Sequence, residues 1–336
     1  MLSIVMPVYN RAAFLPTALQ SIRDQQYEDW ELIVVDDGST DDTHEHLASL
    51  MANCPCPVRY IYQENQGPAA ARNRGVDAAA GEYIAFFDSD DIWLSHHLSR
   101  CVAALEAQPD ADWVFSSAYV ENLTNGDLVR DKPYHVNGRP RKFLHLPVYE
   151  RQGAKVIDYP HLCWFALRHG FETGLQCAVY RRRVFRDGFR LPNFRVGEDQ
   201  IFVVLALKRG FRPAYVEDIS AIYRRHDGNA SNANTVKHLS RRIEVIKEFI
   251  RAFESLDQYD LDRCERLALN RRLAELYVWK LGYALLWENG QSHEALAAFR
   301  QGIRRWPWSV SFWKVYLVCL LKAGLRKQKS ATDELI

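Results

Sequence analysis

The sequence predicts an α/β fold, with a mainly parallel β-sheet flanked by helices and an all-helical C-terminal region. Three observations predict it. Short apolar runs alternate with amphipathic helical stretches from Leu2 to Ser117, which is the pattern of β-α-β units with a covered parallel sheet. The runs end in polar clusters, as strands do when ligands bind outside their carboxyl ends. From Val236 onward the chain reads as one helix after another.

In order, the predicted strands are Leu2–Met6, Glu31–Val35, Val58–Tyr62, Tyr83–Phe87 and Trp113–Ser117. Between the first two, Phe14, Leu15, Ala18, Leu19 and Ile22 fall at helical spacing and form one apolar stripe. Ser39-Thr40-Asp41-Asp42 offers an N-cap with an acid three residues on, opening a helix towards Leu47 and Leu50. Ala69–Ala80 and Leu98–Ala107 are the next crossover helices. Thr124 to Gly170 is irregular and rich in Pro, Gly, His and Arg, which predicts loop or a substrate-facing insertion rather than core. A further α/β section runs to about Asn234. This divides the chain into residues 1–235 and a helical region at 236–336.

Composition bounds the function. The 336 residues are 48% apolar and 25% charged, and 43 basic residues against 42 acidic leave a net charge of +1, so nothing general favours nucleic acid as a partner. The first strand begins at Leu2 and leaves no room for a leader, which predicts a cytoplasmic chain. Seven scattered cysteines predict reduced thiols, since Cys54-Pro55-Cys56 lacks the second pair of a zinc site.

Asp88-Ser89-Asp90 closes the apolar run Tyr83–Phe87. Strand alternation would put both carboxylates on one side, where hard oxygens suit Mn²⁺ or Mg²⁺ and the cation can hold a diphosphate. Solvated turns and helix caps use the same residues. Asp91 is most simply the cap of the following helix. The other strand ends carry Pro7-Val8-Tyr9-Asn10-Arg11, Asp36-Asp37-Gly38-Ser39 and Glu64-Asn65-Gln66-Gly67. A carboxylate can accept the N3–H of uracil and a tyrosine can stack on the ring, so the set fits a nucleotide followed by metal-bound phosphates.

Five segments, Ser3–Arg11, Glu31–Thr40, Asn65–Gly75, Gly81–Trp93 and Gly197–Phe202, stand in order over about 200 residues and closely resemble the family-2 glycosyltransferases. The resemblance implies a Rossmann-like GT-A fold, a nucleotide-sugar donor and inversion at the anomeric centre. It assigns Pro7 and Tyr9 to the wall of the base pocket and Asp37, with Asp36 as its alternative, to the uracil edge. It places Arg72 near base or phosphate, Asp88 at ribose or metal, and Asp90 as the main ligand of the cation. Asp199 matches the family's catalytic acid, and its position at the start of an apolar helix favours the ionised form that a general base requires. Glu198 is the runner-up. His226 resembles a residue that some relatives place on metal or diphosphate, and Arg224 or Arg225 would neutralise the departing diphosphate.

The implied function is metal-dependent inverting transfer from a UDP-sugar to a hydroxyl of a glycan or lipid-linked saccharide, of the kind that builds cell-surface polysaccharide. Trp164, Glu172 and Glu198 are the candidate acceptor residues. A catalytically idle nucleotide-sugar-binding scaffold is the alternative, and a nucleotidyltransferase ranks below it because Pro7–Arg11 is not a glycine-rich phosphate loop.

In the tail, Trp279, Ala295, Phe299 and Pro307, with Gly290 between them, are spaced as in a single tetratricopeptide repeat. From Ala295 to Thr332 there is no acid, while Arg300, Arg304, Arg305, Lys314, Lys322, Arg326, Lys327 and Lys329 interleave with Trp306, Trp308, Phe312, Trp313 and Tyr316. That composition suits the inner face of an anionic membrane and equally a core-packed helix with a solvated basic face.

Overall fold

The computed structural model describes residues 1–51, 57–171, 173–226, 228–229 and 238–333. Cys54, Cys56, Glu172 and the expected boundary at 235 lie outside the described residues, as do the side chains of Arg326, Lys327 and Lys329. Two compact units emerge: residues 1–163 with 171–229, and residues 164–170 with 230–336.

The first unit begins with β1 (Leu2–Val8), α1 (Leu15–Arg23), β2 (Trp30–Asp36), α2 (Thr43–Met51), β3 (Val58–Tyr62), α3 (Pro68–Ala78) and β4 (Tyr83–Phe86). It continues through β5 (Ile92–Trp93), α4 (His97–Ala107), β6 (Trp113–Asn122), β7 (Asp127–Val129), β8 (His135–Val136), β9 (Arg139–Pro140), β10 (Val148–Arg151) and β11 (Ala154–Ile157). After α5 (Leu162–His169), most of which belongs to the second unit, come β12 (Ala178–Arg181), α6 (Glu198–Lys208) and β13 (Pro213–Arg225).

The main path of the sheet runs β10-β11-β13-β6-β12-β4-β1-β2-β3. From β4 to β3 every pairing is parallel, so four strand ends open on one edge of the sheet. Beyond β4 the sheet is mixed, because β12 runs antiparallel to both β4 and β6. Both faces are covered, so β1, β2 and β4 are buried nearly throughout and read as unbroken apolar runs. Helix α3 lies so close to β1 that a Cβ at Gly75 would collide with Val5.

Three expectations are corrected. The stretch from 124 to 170 is not only loop: β10 and β11 extend the sheet edge through β13, and their exposed, charged outer strand is what hid them. Ser39 does not cap α2; its hydroxyl accepts the Asn10 N–H, and Asp41 receives the Thr43 N–H at 3.1 Å instead. Asp91 caps nothing. It is fully buried, its N–H closes a turn onto the Asp88 carbonyl at 2.9 Å, and its carboxylate accepts the Arg224 N–H at 2.9 Å.

The second unit contains α7 (Leu239–Glu254), α8 (Arg263–Glu275), a π-helical continuation at Leu276–Trp287, α9 (Ser292–Arg305) and α10 (Val310–Asp333). Asp262 and Glu265 form a capping box at the start of α8. Gly290 takes a positive φ in the turn before α9, and a Cβ at Gly282 would meet the Phe299 ring at 2.7 Å. No helix among the described residues is long and apolar enough to cross a membrane.

Candidate active site

The ends of β1 and β2 are stapled together. Asn10 adopts the left-handed conformation that asparagine tolerates, and its side-chain oxygen accepts the Thr40 N–H at 2.7 Å. The Arg11 N–H reaches the Thr43 hydroxyl at 3.0 Å. Pro7 is half-buried there and Tyr9 is exposed.

Those acids are both buried and already hold the loops in place. Asp36 accepts the Ser39 N–H and the Tyr60 hydroxyl, each at 2.8 Å. Asp37 accepts Gln63 Nε2 at 2.7 Å and the N–H groups of Gln66 and Gly67 at 2.9 and 2.8 Å, so it anchors the loop after β3 and the start of α3. Only one donor reaches its Oδ2 among these contacts, and a carboxylate oxygen carries two acceptor sites. Gly38 is required between them, because a Cβ there would sit 2.9 Å from the Asn65 nitrogen and its φ is +79°.

Asp88 and Asp90 do not follow strand alternation, because the chain leaves β4 at Phe86 and turns. The turn sends them to different partners. Asp88 Oδ1 lies 2.6 Å from Nη2 of Arg72. Asp90 Oδ2 lies 3.0 Å from His226 Nε2 and 3.4 Å from the Arg11 guanidinium, with Asn229 Nδ2 also at 3.4 Å. Burial opposes the charge on Asp90, but the His226 hydrogen bond and Arg11 prevail and hold its pKa below the usual carboxylate range. Asp91 is pushed well above that range by burial and by Asp88 and Asp90 beside it.

Phe14 organises the cationic side. The His226 ring stacks on it at 4.7 Å, and the Arg11 and Arg224 guanidinium carbons lie 5.8 and 5.5 Å from its centroid. Arg224 Nε is 3.2 Å from Glu121 Oε2.

Arg72, on α3, is buried and bridges two acids, with Nη1 lying 2.9 Å from Glu198 Oε1 while Nη2 serves Asp88. Burial disfavours its charge, yet the two carboxylates raise its pKa above that of a free guanidinium. Glu198 goes the other way: burial, opposed by Arg72 and reinforced by Asp199, pushes it up to about 7. Next along α3, the Asn73 side chain bonds both the N–H and the carbonyl of Leu191, at 2.9 and 2.8 Å. One helix thus grips the segment that leads into α6. There Gly197, in the left-handed conformation, is the N-cap, and Asp199 is half-buried in the first turn with Oδ1 accepting the Gln200 N–H.

Arg72, Asp88, Glu198 and Asp199 are therefore brought together, and so are Asp90, His226 and Arg224. Glu198, expected at the acceptor, is a buried tether of Arg72. Trp164 groups with the helical unit, half-buried and edge-on to His169 at 5.8 Å. Arg11, Phe14, Asn73 and Asn229 join the site without having been singled out. Arg11 carried a signal in its place directly after the first strand, whereas Asn229 has its partner Asp90 139 residues away and its others in a tight local turn.

Among the described residues no three His, Cys, Asp or Glu side chains are gathered around one point. The Asp90–His226 pair nevertheless fits a divalent cation. Its 3.0 Å separation is that of neighbouring ligands in an octahedron with bonds of ~2.1 Å. A carboxylate with an imidazole also suits Mn²⁺, and such ions take their remaining ligands from phosphates and water.

Residues 3–189 match the family described as glycosyl transferase family 2. An uncharacterized glycosyltransferase of Nostoc sp. is 39% identical over 105 residues, 31% of this chain and 33% of that protein. The chain covers a third or less of several such relatives. The putative teichuronic acid biosynthesis glycosyltransferase TuaG of Bacillus subtilis is 28% identical over 253 residues, 75% of this chain and 89% of the relative. Among solved structures, S. aureus TarS 1–349 in complex with UDP aligns with a TM-score of 0.59 at 19% identity, over 91% of this chain and 81% of that one. The mannosyltransferase PcManGT from Pyrobaculum calidifontis, in complex with GDP-Man and Mn²⁺, aligns at 0.54 and 18% identity, over 99% and 83%. At these identities the likeness shows the fold, which is the GT-A arrangement. Matched over more than half of its length, the chain belongs to glycosyl transferase family 2.

Proposed function

We propose that the protein transfers a sugar from a UDP-type donor to a hydroxyl of a glycan or lipid-linked saccharide, with inversion and with the help of a divalent cation. The observation that carries this reading is the Arg72 bridge, which draws the acids after β4 and the start of α6 to one end of the sheet. Solved relatives of this fold hold UDP, or GDP-Man with Mn²⁺, which supports a nucleotide-sugar donor.

In this reading Tyr9 and Pro7 flank the base, and Oδ2 of Asp37 offers its remaining acceptor site to the uracil N3–H. Asp90 and His226 hold the cation, which when bound neutralises charge on the departing diphosphate. Arg11 and Arg224, both on Phe14, add fixed positive charge on the same side. Asp199 takes the proton from the acceptor hydroxyl on the opposite face of the sugar, so a single displacement inverts the anomeric carbon. Helix α3 keeps Asp199 in register through Arg72 and Asn73.

The test is UDP release from a panel of UDP-sugars with Mn²⁺, comparing the wild type with Asp199→Asn. Transfer should fall by ~10²–10⁴ while donor affinity stays within a few-fold. Normal turnover by the variant would remove Asp199 as the base, and absence of donor binding by the wild type would remove the transferase reading.

A further inference from the structure

The last helix carries two apolar stripes, where a helix packed on one side needs one. On its inner side Phe312 and Cys319 are buried, Val315, Tyr316 and Ala323 are half-buried, and the Phe312 ring meets Trp279 at 5.9 Å. On the opposite side Val310, Trp313, Leu317, Leu321 and Leu325 recur every three or four residues. Val310 is 81% exposed, Leu321 70% and Leu325 65%. At 1.5 Å per residue this outer stripe is ~22 Å long. Val318 and Leu320 widen it, and Trp308, 79% exposed, stands at its start. Large apolar side chains set in one continuous face mark a surface that something covers.

Charge identifies the occupant. Lys314, one turn from Val310, Leu317 and Val318, is exposed within the stripe and Lys322 at its edge, Arg300 and Arg304 are exposed on α9, and no carboxylate occurs between Ala295 and Thr332. A second copy packed stripe to stripe would bring the lysines of both copies to one seam, where the first acids after Ala295, Asp333 and Glu334, lie beyond the end of the stripe. A surface of anionic phosphates accepts the two lysines of this face. Tryptophans at the start of the helix, leucines along one face and lysines whose long stems lie on that face with the ammonium reaching out are the side chains that settle at the boundary between headgroups and acyl chains. The apolar stripe covers one face only, as suits a helix lying along a surface.

We propose that the outer face of α10 docks on an anionic lipid surface, with Trp313, Leu317, Leu321 and Leu325 entering the headgroup boundary and Lys314 and Lys322 on the phosphates. This deepens the reading above in which the acceptor is carried on a lipid, because docking would hold the enzyme where such an acceptor lies.

Flotation of the full chain tests it without turnover. Vesicles of phosphatidylcholine alone are compared with vesicles of equal parts phosphatidylcholine and phosphatidylglycerol, using wild type, Asp199→Asn and the double variant Leu317→Glu with Leu321→Glu. Both substituted leucines are solvent-exposed, so the fold should stand, as an unchanged melting temperature will confirm. Wild type and Asp199→Asn should float with the mixed vesicles and not with neutral ones, and the double variant should lose at least about tenfold in partitioning. Its UDP release with a water-soluble acceptor should be unchanged. No flotation, equal flotation of the double variant, or a dimer in sedimentation that the double variant abolishes would each overturn the proposal. Failed flotation with normal UDP release refutes the docking and leaves the transferase reading standing; flotation without UDP release does the reverse.

Discussion

Replacing Glu198 with glutamine should stabilise the protein above neutral pH, even though Glu198 lies in an ion pair. Two effects compete at this buried carboxyl. Arg72 attracts its charge from 2.9 Å, but the same guanidinium also serves Asp88 at 2.6 Å. Burial and the neighbouring Asp199 favour the neutral acid and prevail, so the pKa rises from 4.5 to about 7. The folded chain therefore holds this proton more tightly than the unfolded chain, and folding is favoured most below pH 4.5 and progressively less as the pH climbs through about 7. At ~1.4 kcal/mol per pH unit, that window is worth roughly 3 kcal/mol. Glutamine copies the neutral acid and cannot ionise, so the variant avoids the loss. Urea unfolding of both proteins measures it. They should differ by less than ~1 kcal/mol near pH 5, and the variant should be the more stable by roughly 3 kcal/mol near pH 8. A variant that is destabilised near pH 8 would show that the attraction of Arg72 outweighs burial, and the reasoning would fail.

Asp90→Asn should abolish the gain in UDP affinity that Mn²⁺ confers, as measured by calorimetry with and without chelator; an undiminished Mn²⁺ effect would detach Asp90 from the cation. Asn73→Ala, which frees the Leu191 backbone, should lower kcat by ~10-fold with donor affinity nearly unchanged, as expected when a catalytic group is misplaced slightly. A loss confined to donor affinity would mean that α3 does not position α6. Gly75→Ala must push α3 off Val5 and should cost ~1–3 kcal/mol. An unaltered melting temperature would mean that the helix shifts at no cost.

The parallel half of the fold was legible because strands covered on both faces are written as unbroken apolar runs, and β1 to β4 each end in a conspicuous polar cluster. The helix of Asp199 was legible for a similar reason, since a glycine and two acids open an uninterrupted apolar segment. Local periodicity could not reveal the turn after Phe86, which sends Asp88 and Asp90 to different partners. Nor could it reveal that Arg72 spends its charge on Asp88 and Glu198, because the second of these lies 126 residues away. The edge strand β10 was missed for the opposite reason to β1: an edge strand has one free side and carries charge there, so it reads as loop, and the short β11 paired to it was missed with it.

Asp91 has a consequence for the growing chain. Its carboxylate is buried against the N–H of Arg224, a donor that is synthesised 133 residues later. At roughly 5–20 residues per second, a ribosome takes roughly 7–27 s to make the span between them. During that interval β13 does not yet exist, and the Asp91 carboxylate lacks the backbone donor that it has in the finished fold. By the time Arg224 emerges, Asp199 has already been made. The order of synthesis thus leaves the buried acid without its backbone partner until nearly the whole first unit has been made.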